Sequence, residues 1–238
     1  MNMFELVTIE TSKESVAVIE TRLVHQVHRV ATTLLAEAAV RPSVPLGALA
    51  QLRDFLVVNL RHHHETEDDD LWPRIVAAAP AAEHGLGALS EEHERLDAAL
   101  DLLAAVNLSS DEVEGGAGEA VGTGLGGGAA DGLRAALRDA AVAVRDTVQD
   151  HLAHEEPLLF PALRDHISPA EWQDFAQRVI VTTPPVAGHL MVGFLDEAGT
   201  PAEVELMLAA LPEPVRPLLA AMRLQATDDL RILRGIGS

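Results

Sequence analysis

The chain has 238 residues, with 37 Asp and Glu against 17 Lys and Arg, a formal charge of −20, 11 His, no Cys and no Tyr. So acidic a chain is repelled by phosphate backbones, which argues against a nucleic-acid partner. Without thiols, disulfide scaffolds, iron–sulfur clusters, zinc ribbons and cysteine nucleophiles are excluded, and any metal site has to be built from His, carboxylate and water.

Hydrophobic residues make up 48% of the chain and aromatics only 3%. A core of Leu, Val and Ala suits helices better than sheets, so an all-α protein is expected. The first residues carry Glu5, Glu10 and Lys13 without a long apolar run, and no signal peptide is expected. The first predicted helix covers about Ser12 to Ala39 and stops before Arg41-Pro42-Ser43-Val44-Pro45. The second runs from about Leu46 to Ala79, its apolar positions Leu49, Leu52, Leu56, Leu60 and Leu71 keeping a 3-4 spacing around His63 and Glu67. The third, about Leu86 to Val106, is a heptad run with His93 at a core position, and the fourth, about Leu133 to Leu163, carries His151 and Glu155 on its apolar stripe.

Between the third and fourth lies Ser109 to Gly132, which holds 9 of the 17 glycines mixed with Asp and Glu and reads as a flexible loop. Residues 12–164 therefore form an antiparallel up-down-up-down four-helix bundle. Residues 165–238 read as a helical extension of two or three helices, with starts at Ser168-Pro169-Ala170-Glu171 and further helices over Glu203 to Leu211 and Glu213 to Leu233. That extension offers a surface for a homodimer. The longest uncharged stretch, Val179 to Leu195, is interrupted by Pro184, Pro185, Gly188 and His189 and is no membrane span. A cytoplasmic protein without a membrane partner is the default.

A short repeat recurs at an offset of 88 residues: His63-His64-Glu65-Thr66-Glu67-Asp68 through Trp72-Pro73 matches His151-Leu152-Ala153-His154-Glu155-Glu156 through Phe160-Pro161. Both copies contain H-x-x-x-E. On a helix, residues i and i+4 share a face one turn apart, so imidazole and carboxylate can reach one metal or two adjacent metals. Buried unpaired, these groups would each cost several kcal/mol, roughly, and only Arg74 lies near the stripe as a countercharge. A metal pair compensates all of them together. Imidazole and carboxylate without thiolate suit iron, manganese or zinc, and two carboxylates able to bridge favour a dinuclear centre. The first helix offers His25 and His28, three residues apart on alternative stripes, and periodicity does not choose between them.

One His on the first helix, H-x-x-x-E on the second, one His on the third and H-x-x-x-E on the fourth resembles the hemerythrin-like (HHE cation-binding) family. HHHETEDDDLWP, EEHERLD and HLAHEEPLLFP are similar to its actinobacterial branch. The resemblance implies a non-haem di-iron centre, oxo- or hydroxo-bridged. His63, Glu67, His93, His151 and Glu155 would be its ligands, with both glutamates bridging. The Leu23-Val24-His25 segment followed by Arg29 ranks His25 above His28 as the first-helix ligand. The chain departs from oxygen-carrying hemerythrins in having Asp97 where a further third-helix His is expected, which leaves positions open for water, peroxide or NO and makes pure oxygen carriage doubtful.

Of the remaining histidines, His62, His64 and His154 flank the stripe and read as supporting or surface residues, and His84, His166 and His189 as solvated or capping ones. Asp68, Asp69 and Asp70 read as a solvated face. His64-Glu65-Thr66-Glu67-Asp68 has Asp where a zinc protease needs its second His, and ferritin-like E-x-x-H pairs are missing. No catalytic side chain and no organic cofactor is assigned. The expected functions are reaction with, or sensing of, O2, peroxide or NO, or alternatively oxidase or oxygenase chemistry on a small organic substrate.

Overall fold

The computed structural model describes residues 14–108 and 125–236. The expectations for residues 1–13 and for the loop over 109–124 fall outside the described residues. Among the described residues every regular element is helical, and no helix is long and apolar enough to cross a membrane.

Helix α1 spans Val16–Ala39 and starts at Ser15, whose Oγ accepts the amide of Val18. Helix α2 spans Leu46–Thr66 and passes without a break through a π-helical turn, Glu67–Leu71, into α3, Trp72–Ala78. The expected single helix over Leu46 to Ala79 thus changes pitch midway. Pro73 has no N–H and its ring crowds the carbonyl one turn earlier, which a wider turn relieves. Helix α4 spans Glu83–Ala104 and α5 spans Leu125–His166. Residues 125–132, expected as loop, are instead the first two turns of α5. Each residue added to an existing helix gains a hydrogen bond without a new nucleus, which offsets the roughly 1 kcal/mol that a glycine costs there.

The four long helices form a closed antiparallel ring. On α1 and α5, Arg29 meets Glu156 while Arg134 donates to the Arg41 carbonyl, so the chains run in opposite directions. On α2 and α4, Arg53 reaches the Val106 carbonyl and Asp68 accepts from Ser90 at the other end. Helices α4 and α5 meet antiparallel through Glu92 with His151 and Gly85 with Leu158.

The extension contains α6 (Pro169–Thr182), α7 (Gly188–Ala198), α8 (Pro201–Leu208) and α9 (Leu219–Leu233), one helix more than expected. Ser168 with Glu171 and Thr200 with Glu203 form capping boxes at α6 and α8. The unexpected helix is α7. It buries Leu190, Val192, Phe194 and Leu195 against α1, α2 and α9 and leaves Asp196 and Glu197 exposed. Helices α7 and α9 approach so closely that a Cβ on Gly193 would lie 2.6 Å from that of Ala226.

One apolar cluster joins Leu35, Leu52, Leu56 and Leu100 of the bundle to Leu190, Phe194 and Leu230 of the extension. A second, at the other end of the bundle, holds Val18, Leu71, Trp72, Leu89, Leu163 and Phe175. His189, expected in solvent, is buried: its Nε2 lies 2.8 Å from Asp229 Oδ2 and 3.2 Å from Gln51 Nε2, tying α7 to α9 and α2.

Candidate metal centre

Between the two apolar clusters the bundle interior turns polar. His25 and His28 enter from α1, His63 and His64 from the end of α2, Glu67 from the first position of the π turn, His93 from α4, and His151 and Glu155 from α5. Glu155 has no exposed surface and Glu67 retains 2%.

These side chains fall into two groups. His25, His63 and Glu67 form one, His64, His93 and His151 the other, and within each group one donor atom per residue lies within 4.8 Å of the others. The two carboxylates lie between the groups. Glu67 Oε1 is 3.3 Å from His63 Nε2 while its Oε2 is 3.7 Å from His93 Nε2. Glu155 Oε2 is 3.3 Å from His151 Nε2 and 3.7 Å from His25 Nε2. All seven residues singled out from the sequence are thus brought to one place. His25 belongs to a group of three, whereas His28 packs its ring against His63, centroids 4.8 Å apart.

His64, expected to flank the stripe, is buried and belongs to the second group. A signal for this was present: at the 88-residue offset His64 aligns with Leu152, itself buried, and the spacing Leu56, Leu60, His64, Glu67, Leu71 is that of a core stripe. Asp68 also departs from expectation, since it accepts from His93 instead of standing free in solvent. His154 is exposed and bonds Glu92, and His62 bonds Thr182.

Three of the rings have their outer nitrogen on a carboxylate. His93 Nδ1 is 2.8 Å from Asp68, His151 Nδ1 is 3.1 Å from Glu92, and His25 Nδ1 is 3.1 Å from Glu156. An ionised carboxylate only accepts, so each Nδ1 carries a hydrogen; His25 Nε2 then presents a lone pair to the interior, while Nε2 of His93 and Nε2 of His151 share a hydrogen bond at 3.2 Å. A hydrogen on Nδ1 with Nε2 left to donate is the tautomer a metal requires.

Most of the inward atoms lack partners. His25 Nε2, His63 Nε2, the Nδ1 of His28 and of His64, Glu67 Oε2 and both oxygens of Glu155 are buried without a hydrogen bond. Each such neutral group costs about 1–3 kcal/mol, and a carboxylate more. Gathered at one point, all able to donate a lone pair, they fit a cation.

Protonation agrees with this. Burial, and then the charge of Glu155, push Glu67 well above the usual carboxylate range. Burial acts on Glu155 in the same sense, but His25 and His151 outweigh it and hold that carboxyl below its usual value. Without a metal the pair keeps one proton on the Glu67 side. Burial and the neighbouring rings push His63 and His64 well below their ordinary value, and burial with His25 takes His28 down to about 3. Burial lowers His93 too, whereas His151 is raised because Glu155 and Glu92 outweigh its burial.

A pH dependence follows. His28, His63 and His64 have folded values below the unfolded one of about 6.5, so their neutral forms stabilise the fold above pH ~6.5, and this is lost as the pH falls toward the folded values. Glu67 and His151, raised in the fold, act in the opposite sense above their unfolded values, but they are two groups against four, since His93 is lowered too. The metal-free protein is expected to melt at a lower temperature at pH ~5 than at pH ~7. Thermal melts of chelated protein check this, and an unchanged or higher melting point at the lower pH would contradict it.

A family model, the hemerythrin HHE cation binding domain, matches residues 20–125. The match takes in His25, His28, His63, His64, Glu67 and His93 and ends before His151 and Glu155, which the fold itself brings to the same site. No curated protein and no solved structure matches the chain.

Proposed function

We propose that this chain, whose residues 20–125 match the hemerythrin HHE cation binding domain model, is a non-haem di-iron protein that reacts with or senses O2, peroxide or NO. The observation that carries this reading is the placement of Glu67 and Glu155, each within reach of both histidine groups. A single ion needs only one such group. Two carboxylates between two groups suit two ions with shared ligands, as in other carboxylate-bearing helical bundles. A nitrogen and oxygen donor set in a chain without cysteine suits iron.

In this reading His25, His63 and Glu67 would hold one ion and His64, His93 and His151 the other, with Glu67 and Glu155 in reach of both groups. His28 stands beside His63 as a further donor. Iron held by these residues supplies a change of oxidation state and open coordination positions for a small oxidant. The chain's own contribution is threefold. The carboxylates at the outer nitrogens hold the rings in the ligating tautomer. The low proton affinity of His28, His63 and His64 keeps their lone pairs available at neutral pH. Leu71, Trp72 and Leu89 on one side and Leu56, Leu60 and Leu96 on the other wall the site in apolar surface. Such walls offer the polar groups of an organic substrate no hydrogen-bond partner, which favours diatomics and peroxide.

The test is stopped-flow mixing of iron-loaded, reduced protein with O2, peroxide or NO and no organic co-substrate. Rapid spectral change with at least one of them is expected. Inertness to all three, with oxygen consumption only when an organic compound is supplied, would move the assignment to an oxidase or oxygenase.

A further inference from the structure

Both H-x-x-x-E segments continue into a second acid, Asp68 after Glu67 and Glu156 after Glu155. The two followers do corresponding jobs. Asp68 accepts from Nδ1 of His93 on α4 at 2.8 Å, and Glu156 accepts from Nδ1 of His25 on α1 at 3.1 Å. Glu92, the residue before His93, accepts from Nδ1 of His151 on α5 at 3.1 Å. Three rings on three helices are therefore each clasped by a carboxylate from a neighbouring element.

The clasps are not equal in charge. Arg29 donates to the same Glu156 oxygen that His25 uses, at 2.6 Å, so a guanidinium offsets the carboxylate on that side. Asp68 is met by the neutral Ser90 hydroxyl at 2.5 Å and Glu92 by the His154 ring at 3.0 Å. Among the described residues neither Asp68 nor Glu92 forms an ion pair with Lys or Arg. The group of His93 and His151 thus faces two uncompensated outer carboxylates, and the group of His25 and His63 faces one that is compensated.

We propose that Asp68, Glu92 and Glu156 are positioning residues of the metal centre and that they load it unevenly, so that the position of His64, His93 and His151 takes the first iron and holds it more tightly. A carboxylate on the outer nitrogen fixes the ring and makes its inner nitrogen a stronger donor, an effect that a paired cation weakens. The proposal rests on the two-iron reading above.

Anaerobic calorimetric titration of the full-length metal-free protein with ferrous iron tests it. Wild type is expected to bind in two separated steps. Asp68→Asn and Glu92→Gln should weaken the tighter step by about 10- to 100-fold and leave the weaker step in place, and Asp68→Glu should restore it. Arg29→Met should tighten the weaker step and narrow the gap, a gain that a damaged fold cannot produce. Two equal steps in wild type, or Asp68→Asn and Arg29→Met moving both steps in the same direction, would overturn the uneven loading alone. Saturation at one iron, or no binding, would overturn the two-iron reading and this inference with it.

Discussion

Glu67→Gln is expected to bring the iron content from about two per chain to well under one, while leaving the metal-free protein at least as stable as wild type. The loss follows from geometry. Glu67 Oε1 faces His63 and Oε2 faces His93, so one side chain serves both histidine groups, and an amide is a poor ligand at both. The preserved stability follows from electrostatics. Metal-free Glu67 is buried beside Glu155, and burial together with that neighbour already favours its neutral form. Glutamine has nearly the same shape and is likewise neutral, so the metal-free fold loses little by the substitution. His166→Ala, on the exposed end of α5, is expected to keep its full iron. Metal analysis and thermal melts of chelated protein read the two effects separately. Full iron in Glu67→Gln would remove this carboxylate from the centre.

Phe194→Ala is expected to destabilise the protein by about 3–5 kcal/mol. Phe194 lies on α7 with no exposed surface, and its ring sits 5.9 Å from that of Phe55 on α2. It belongs to the same apolar cluster as Leu35, Leu56 and Leu100 of the bundle, so its truncation opens a cavity in a core that bundle and extension share. An extension that merely rests on the bundle would give a loss below about 1 kcal/mol. Denaturant unfolding distinguishes these. Phe194 is not among the donors, so iron bound per folded chain should stay unchanged.

The long helices are legible in the sequence because each shows a sustained 3-4 apolar spacing and the breaks between them contain Pro or, before the fourth, clustered Gly. The H-x-x-x-E pairs are legible for the same reason, since polar residues on an apolar stripe stand out. What escapes notice is what depends on tertiary contact. Helix α7 is only 11 residues long and follows Pro184 and Pro185, so its apolar run is too short to stand out before α1, α2 and α9 cover it in the fold. His189 looks solvated in sequence beside Pro184 and Pro185, yet Asp229 and Gln51 reach it only across the fold. The first turns of α5 are hidden by glycines. His64 is hidden by His63, because two adjacent histidines on one turn suggest one ligand and one bystander, whereas the two rings join different groups. Asp68 reads as a solvated charge, and nothing in sequence marks Glu92 or Glu156, until α4, α5 and α1 bring rings to Asp68, Glu92 and Glu156 in turn.

Metal analysis of the protein purified in air, combined with its absorption spectrum, bears most directly on the central claim. About two irons per chain, with ligand-to-iron charge-transfer bands in the near ultraviolet, are expected from two histidine groups joined by Glu67 and Glu155. One zinc per chain, or no metal retained after reconstitution with ferrous iron, would contradict it.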